Sequence, residues 1–366
     1  MKRRTFLGVA LGFAAGSRSS SAAPRGRWDD AADVLERATA AKQVDAAVMH
    51  VVQKKESFTR HFGKAASADA MFLLGSISKP INVTAVITLF DQGKFRLDDR
   101  VKKFLPEFSG DGRDEVTVRH LLTHTSGLPD QLPNNNELRK QHAPLTEFAK
   151  EAARTRLDFA AGTRYQYSSM GILLAARLAE LISGSDILTL VDRMVFQPLG
   201  MKHSAQGLGR FKPEEMVHCQ MEGAAPESGA GDPKAKEWDW NSPYWRKLGA
   251  PWGGTHASAP DVATFLGEFM GALGKAVKPA TARLMVENHN PEGLTPRGLG
   301  FAVGKGAGSP GCSDRTFGHT GSTGTLCWAD PATETICVVL TSLPARAVKL
   351  HPREVAAERV AAAVGR

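Results

Sequence analysis

The chain has 366 residues, 42% of them hydrophobic and 23% charged, and a formal net charge of +8. This length and balance suit one large globular domain or two lobes. Outside the N-terminus no stretch has the roughly 18 to 20 continuous apolar residues of a membrane helix, and no basic run with interleaved aromatic residues indicates nucleic-acid binding. We therefore expect no nucleic-acid partner and no stable membrane insertion of the mature protein.

The N-terminal segment has the order of an export signal. Adjacent arginines, Arg3 and Arg4, precede an apolar run over 6–15, and small residues follow at 19–23. This order predicts a cleaved signal over 1–23, and the paired arginines favour the twin-arginine route. The segment also carries four of the positive charges, so about +4 would remain of the formal +8 after its removal. The sequence predicts an exported protein, periplasmic or extracellular.

Strand-like patterns lie near both ends of the remaining chain, and helical patterns fill its middle. The predicted helices cover 29–41, 78–93, 117–123, 145–154, 171–182, 259–273 and 352–364, and the clearest predicted strands cover 46–52, 57–62, 325–330 and 335–341. This order predicts an α+β domain over 27–366. We expect an antiparallel sheet built from both termini and flanked by helices (sheet lobe 27–95 and 290–366), with a mostly helical inserted lobe over 96–289. In the helix from residue 78, Ile81, Ala85 and Leu89 predict one apolar stripe.

The four cysteines lack the close spacing of a zinc knuckle or a redox motif. They are Cys219, Cys312, Cys327 and Cys337. If Asp330 pairs with Glu334 in the last predicted hairpin, Cys327 lies opposite Cys337, close enough for a disulfide. The alternative is two reduced side chains lying together. Folding before twin-arginine export, in a reducing compartment, favours that alternative.

A serine and a lysine at the start of a helix supply the first chemical signal. Ser76 and Lys79 lie three residues apart, so one helical turn puts them on the same face and the amine can hydrogen-bond the hydroxyl. A serine needs such a base, together with donors that stabilise the oxyanion, to act as a nucleophile. The spacing alone is common, since a helix cap followed by a solvated lysine has it too. The spacing indicates a catalytic pair only if other motifs of a serine hydrolase accompany it.

Five segments in one order resemble the serine β-lactamase and penicillin-binding protein superfamily, especially its class C and esterase-like branch. They are Leu74-Gly75-Ser76-Ile77-Ser78-Lys79-Pro80, residues 120–129 (HLLTHTSGLP), Tyr167-Ser168-Ser169, residues 197–201 (QPLGM) and residues 318–324 (GHTGSTG). The first resembles the nucleophile motif, the third stands where the family has Tyr-x-Asn, and the last where it has Lys-Thr-Gly. Together they extend over most of the chain that follows the signal. The resemblance implies the β-lactamase/transpeptidase-like fold.

The resemblance also implies roles for individual residues. Ser76 would be the acylated nucleophile, with Lys79 and Tyr167 as the pair that moves the proton. Either Lys79 is the base and Tyr167 relays the proton, or nearby cations hold Tyr167 as a phenolate base. The backbone N–H groups of Ser76 and Ser322 would form the oxyanion hole.

Two positions depart from the family pattern. His319 replaces the lysine of Lys-Thr-Gly, and a neutral imidazole anchors a substrate carboxylate less well than an ammonium. Ser169 replaces the asparagine of Tyr-x-Asn and offers fewer hydrogen bonds. We predict that both, with Thr320 and Gly321, bind substrate, and that the changes favour esters over cephalosporins.

The prediction is therefore an exported serine hydrolase, most similar to a carboxylesterase, with a small ester, amide or β-lactam as substrate and no metal or organic cofactor. A class C-like β-lactamase, a D-alanyl carboxypeptidase or a D-aminopeptidase is the alternative within the same chemistry. A cell-wall ligand-binding protein with this fold is the alternative without catalysis. His120 and His124 superficially resemble a zinc helix, but the glutamate that a hydrolytic zinc site requires after the first histidine is missing.

Overall fold

The computed structural model of the protein describes residues 26–364. The export signal predicted at 1–23 lies outside the described residues. Among the helices of the described part, none is long and apolar enough to cross a membrane.

Two antiparallel sheets organise the fold. The strands are β1 Ala46–Gln53, β2 Glu56–Gly63, β3 Phe72–Leu73, β4 Ser204–Gln206, β5 Thr255–Ala257, β6 Ala302–Val303, β7 Phe317–Gly321, β8 Thr325–Asp330 and β9 Thr335–Thr341. The main sheet has the order β2-β1-β9-β8-β7-β6, so strands from the two ends of the chain pair at its centre. This confirms the predicted α+β class and the sheet built from both termini. The small sheet β3-β5-β4 was not predicted.

Helices cover the main sheet and fill the middle of the chain. They are α1 Asp29–Ala40, α2 Ser78–Asp91, α3 Val118–Leu122, α4 Asn135–Lys140, α5 Leu145–Arg154, α6 Ser169–Ser183, α7 Ile187–Val191, α8 Gln197–Leu199, α9 Pro243–Leu248, α10 Ala259–Gly271, α11 Pro279–Met285 and α12 Pro352–Val364. Helix α6 packs against α2, α3 and α5, which forms the core of the helical region. The lobe boundaries at residues 95 and 290 stay a prediction.

Each face of the main sheet has its own hydrophobic core, because successive side chains of a strand point to opposite faces. In β1, Ala47, Met49 and Val51 belong to the cluster with α1 and α12. Ala46 and Val48 belong to the larger core on the other face, which also contains the apolar side chains of α2 and α10. Helix α10 packs directly on β1, β8 and β9.

The predicted apolar stripe of α2 was wrong, because this helix is buried on every side from Ser78 to Leu89. Its polar side chains find partners inside the protein, as buried polar groups must. Thr84 donates to the Pro80 carbonyl at 2.7 Å, and Asn82 donates to Gln206 Oε1 at 2.9 Å. The helix that follows Ser76 is therefore a central, rigid element.

The register predicted for the last hairpin was also wrong by one residue. Asp330 pairs with Thr335, since Glu334 takes a left-handed conformation (φ 52°) and belongs to the turn. A shift of one residue moves a side chain to the opposite face of the sheet. Cys327 therefore lies in the core beside α2 and α10, Cys337 lies beneath α1 and α12, and all four cysteines are free.

The turn between β7 and β8 predicts a sharp difference between two glycines that both have positive φ. A Cβ at Gly324 (φ 99°) would lie 1.9 Å from the Leu343 carbonyl oxygen, whereas a Cβ at Gly93 (φ 73°) would meet nothing within 4 Å. We expect Gly324→Ala to lower the free energy of unfolding by roughly 3 kcal/mol or more, because the backbone must move. Gly93→Ala should cost about 1 kcal/mol, for the left-handed conformation alone. Denaturant unfolding of both variants measures this, and equal losses would contradict the close packing of the turn.

Candidate active site

The segment that carries Ser76 is tied to the main sheet by two threonine hydroxyls. Ser76 lies in a short 3-10 turn between β3 and α2. Thr323 Oγ1 donates to the Leu73 carbonyl at 2.7 Å, and Thr325 Oγ1 donates to the Leu74 carbonyl at 2.6 Å. Both threonines are buried, so these bonds form away from solvent. The turn is thereby held against the junction of β7 and β8.

The same junction brings the backbone before Ser76 close to the backbone N–H of Ser322. Gly75 has a φ of 55°, and a Cβ on it would lie 3.1 Å from the Ser322 nitrogen and 3.0 Å from Thr323 Oγ1. Only a glycine allows this approach without a shift of the neighbouring backbone. The residue before Ser76 therefore lies against the Ser322 N–H, an approach that the predicted oxyanion hole, formed by the N–H groups of Ser76 and Ser322, requires.

Helix α12 supports this junction from the opposite end of the chain. The buried guanidinium of Arg353 donates from Nη1 to the Gly321 carbonyl at 2.6 Å and to the Thr325 carbonyl at 2.9 Å. It therefore joins the last residue of β7 to the first residue of β8. The strand ends that flank Ser322 are fixed by this charged clamp.

Lys79 faces Ser76 across one turn, as its spacing predicts. Its Nζ donates to Ser76 Oγ at 2.9 Å and to the Trp252 carbonyl at 3.0 Å, and the side chain is fully buried. Burial lowers the pKa of the Lys79 amine to about 7. The Asp130 carboxylate raises this pKa and so opposes the effect of burial, whereas the Arg297 guanidinium lowers it further. An amine with this pKa is largely neutral just above pH 7 and can then accept a proton.

Tyr167 completes the group around the serine. Its hydroxyl hydrogen-bonds Ser76, and its ring centroid lies 4.7 Å from Lys79 Nζ. The ring packs on His124, with centroids 4.6 Å apart, and His124 Nδ1 accepts a hydrogen bond from the Ser168 N–H at 3.2 Å. Burial raises the pKa of Tyr167 above its ordinary value and outweighs the opposing effect of Arg297. The phenol is therefore protonated at neutral pH.

His319 lies beside an arginine that the sequence analysis did not identify. Arg297 Nη2 donates to His319 Nε2 at 2.6 Å, and His319 Nδ1 donates to the Thr320 carbonyl at 2.7 Å. Burial, together with the charge of Arg297, holds the pKa of His319 well below its ordinary value. The imidazole is neutral, as predicted, but the buried guanidinium of Arg297 is in direct contact with it.

Ser169 forms hydrogen bonds with a residue of the protein itself. Its Oγ donates to Asp130 Oδ1 at 2.6 Å, and its backbone N–H donates to the same oxygen at 2.9 Å. A hydroxyl has a single proton, so Ser169 can only accept a hydrogen bond from a substrate while this contact persists.

Two cavities meet at Ser76. The first, of about 200 Å³, is named here the tryptophan cavity, and its lining includes Asp130, Arg139, Ser169, Glu227, Trp245 and Trp252. The second, of about 420 Å³, is named the histidine cavity, and its lining includes Arg297, His319, Thr320, Gly321, Ser322 and Arg353. Ser76 and Tyr167 line both. A substrate bound at Ser76 can therefore extend to either side of the nucleophile.

The two histidines that resemble a zinc helix have other contacts. His120 Nδ1 accepts from the Thr117 N–H at 3.2 Å and caps α3, while His124 supports Tyr167. In the part of the chain that the structure describes, no three potential ligands are grouped to hold a metal ion.

Sequence reasoning missed the charged residues that line the two cavities, which are Asp130, Arg139, Glu227, Arg297, Arg346 and Arg353. Asp130 directly follows the segment 120–129 that resembles the family, so its position was a usable signal. Arg139 and Arg297 stand in no motif. They reach the site only because distant segments fold together.

Comparisons with known proteins show the family and the fold of this chain. The family described as Beta-lactamase matches residues 31–362. An esterase, EstB, from Burkholderia gladioli is 36% identical over 158 residues, which are 39% of this chain and 40% of that protein. A Salmonella agona protein, provisionally named a D-alanyl-D-alanine carboxypeptidase, is 26% identical over 76% of this chain and 71% of its own length.

The solved structures include D-amino acid amidase from Ochrobactrum anthropi. It superposes with a TM-score of 0.76 at 20% identity, and the match covers 92% of this chain and 98% of the amidase. At this identity the likeness establishes the fold.

The threonine tie to the nucleophile segment predicts a loss of stability. Thr325→Val keeps the shape of the side chain but leaves the buried Leu74 carbonyl without this donor, so we expect the free energy of unfolding to fall by roughly 1–3 kcal/mol. Thr264→Val is the matched control, because Thr264 donates to the Pro260 carbonyl at an exposed position, and it should change stability by less than about 0.5 kcal/mol. Denaturant titration compares the two, and a Thr325→Val variant as stable as the control would argue against the tie.

Proposed function

The chain belongs to the beta-lactamase family of serine hydrolases, and we propose that it is a carboxylesterase-like member that forms an acyl-enzyme on Ser76. The observation that carries this proposal is the 2.9 Å contact between Lys79 Nζ and Ser76 Oγ, made by a buried amine whose pKa is lowered to about 7. A general base works best when its pKa lies near the operating pH.

In the proposed first step, Lys79 takes the proton of Ser76 while Oγ attacks the ester carbonyl carbon. Of the two bases considered from sequence, the pKa directions support Lys79, because burial lowers the pKa of the amine and raises that of the phenol. The N–H groups of Ser76 and Ser322 would stabilise the oxyanion. One such donor contributes about 3–4 kcal/mol in measured enzymes.

Tyr167 is proposed as the relay to the leaving group. Its hydroxyl hydrogen-bonds Ser76 and its ring lies over Lys79, so a proton on Lys79 can pass through the phenol to the departing alkoxide. Water then attacks the acyl carbon and passes a proton through Tyr167 to Lys79. The bond between Ser76 Oγ and the acyl carbon breaks, Oγ takes the proton from Lys79, and the carboxylic acid leaves. The phenol stays protonated between steps, in agreement with its raised pKa.

The ester preference rests on the two departures from the family pattern. The Ser169 proton is engaged by Asp130, so this position does not donate to a substrate amide carbonyl as an asparagine would. His319 is neutral. The similarity to the esterase EstB supports the same choice.

Arg297 favours a second candidate, hydrolysis of amide or β-lactam substrates that carry a carboxylate. With Arg353 it gives the histidine cavity two buried guanidinium groups. A carboxylate in this cavity would meet a positive charge although the family's lysine is absent. The provisional carboxypeptidase assignment of the Salmonella agona relative agrees with this alternative.

We further propose that the protein is exported through the twin-arginine route. The support is the order of residues 1–23, with paired arginines, an apolar run and small residues. Fractionation of cells that express the full chain, with and without Arg3→Lys and Arg4→Lys, tests this directly.

The test of the nucleophile uses two serines of one tetrapeptide. Ser76→Ala should abolish hydrolysis of 4-nitrophenyl esters and covalent labelling by a fluorophosphonate, since it removes the hydroxyl that Lys79 contacts. Ser78→Ala is the control, because Ser78 accepts a hydrogen bond from the Thr255 N–H and has no proposed chemical role. Mass spectrometry locates the label.

Retention of the label in Ser76→Ala would overturn the proposal. Turnover of a chromogenic cephalosporin far faster than the esters would favour the second candidate. Labelling without any turnover would favour a binding protein.

The charges around Lys79 predict opposite shifts of the pH profile. Activity should rise through pH of about 7, because Lys79 must be neutral, and level off above it. Arg297 lowers the pKa of Lys79 and Asp130 raises it, so Arg297→Met should move the rise to higher pH and Asp130→Asn to lower pH. The pH dependence of kcat/KM for one ester measures both shifts. Shifts in the same direction would contradict Lys79 as the base.

A further inference from the structure

Arg139 is a buried cation in the wall of the tryptophan cavity. It lies on α4, its residue is 1% exposed, and its guanidinium carbon stands 3.8 Å from the ring centroid of Trp245. The cavity that it lines also contains Ser76. Stacking on an aromatic face holds a guanidinium in a fixed orientation.

The guanidinium has no hydrogen-bond partner for two of its nitrogens. Nε and Nη1 are buried and unpaired, and within residues 26–364 no carboxylate oxygen lies within 4 Å of the group. Burial lowers the pKa of Arg139 to about 10, so the group is still charged at neutral pH. A buried charge without a partner is costly in a folded protein.

Three of the other buried arginines of the described chain also have unpaired nitrogens, namely Nε and Nη1 of Arg246 and Nε of Arg297 and Arg353. All four others differ from Arg139 because each donates at least one hydrogen bond from its guanidinium. Arg113 donates to backbone carbonyls, Arg246 to the Val217 carbonyl, Arg297 to His319, and Arg353 to the β7–β8 junction. Each of these guanidinium groups therefore has at least one hydrogen bond that compensates part of its burial. The unpaired donors of Arg139 stand beside the cavity of the nucleophile.

The acidic residues of the cavity do not fill this role. Asp130 accepts two hydrogen bonds from Ser169. Glu227 favours the charged form of Arg139 through space but makes no ion pair with it. Neither carboxylate thus pairs with the guanidinium. A planar guanidinium binds a carboxylate through two parallel hydrogen bonds, from Nη2 together with Nη1 or Nε.

We propose that Arg139 binds a carboxylate of the substrate in the tryptophan cavity, so that the enzyme prefers esters that carry an acid group. This specificity rests on the proposed acylation of Ser76. The carboxylate belongs either to the acyl part or to the leaving group, and the two arms of the test distinguish these sources.

The test compares charged and neutral esters of matched size. The acyl arm uses the 4-nitrophenyl monoester of glutaric acid against 4-nitrophenyl valerate. The leaving-group arm uses 3-carboxy-4-nitrophenyl acetate against 4-nitrophenyl acetate. For each arm the ratio of kcat/KM, charged over neutral, is measured in wild type, Arg139→Gln, Arg139→Lys and Lys140→Gln.

Lys140 is the matched control because it is the next cation of α4, half-exposed and paired with Asp232. We expect Arg139→Gln to lower the ratio about 10- to 100-fold in one arm, mainly through KM, as loss of a charge-assisted bidentate contact requires. Arg139→Lys should lower it less, and Lys140→Gln should leave it within about twofold. Melting temperatures show whether each variant is folded.

Unchanged ratios in both arms with a folded Arg139→Gln would overturn the proposal. If that variant does not fold, inhibition of the wild type and of Arg139→Lys decides: glutarate should compete with the valerate ester more strongly in the wild type than in Arg139→Lys, and neutral glutaramide should inhibit neither. Equal inhibition by the two compounds, or by glutarate in the two proteins, would also overturn it. Failure of the proposed function has a different signature, since Ser76→Ala would then still hydrolyse the esters whatever the Arg139 ratios are.

Discussion

The site depends on two hydrogen bonds, which the hydroxyls of Thr323 and Thr325 donate to the backbone carbonyl groups before Ser76. They join segments some 250 positions apart in the chain. Because each side-chain hydroxyl holds the backbone carbonyl of the other segment, the bonds position the backbone that carries the two N–H groups of the proposed oxyanion hole before any substrate binds. Electrostatic stabilisation of this kind is strong when the donors are already in place before the reaction. The clamp of Arg353 on the same junction has the same effect from a third segment.

Burial then sets the protonation of the groups around this fixed backbone. It disfavours every charged form, so it lowers the pKa of Lys79 and His319 and raises that of Tyr167. These three groups of the site can thus all be neutral close to pH 7. A neutral amine accepts a proton and a neutral phenol donates one, which is the combination that acyl transfer needs. Arg297 and Asp130 adjust this balance in opposite directions.

A feature can be predicted from the sequence when residues close together in the chain determine it, and not when it depends on contacts between distant segments. The contact of Ser76 with Lys79 follows from one helical turn, and the strands of β8 and β9 follow from short β-rich runs, so both could be predicted. The register of that hairpin could not, because it depends on the left-handed conformation of Glu334 within the turn. The burial of α2 on all sides, and the arrival of Arg139 and Arg297 at the site, depend on packing between segments far apart. No local pattern encodes these contacts.

The strand order has a consequence for the synthesis of the protein. Strand β1 is made near the start of the chain, but its neighbour β9 comes from nearly the other end. Until β9 leaves the ribosome, the β1–β2 hairpin has one edge without its partner, and an open edge is a template for aggregation. The β7–β8 junction is also synthesised late, long after Ser76. A polypeptide released early would thus contain Ser76 and Lys79 but lack the hydrogen-bond donors of the β7–β8 junction. We expect hydrolytic activity only in chains that have been translated almost to the last helix.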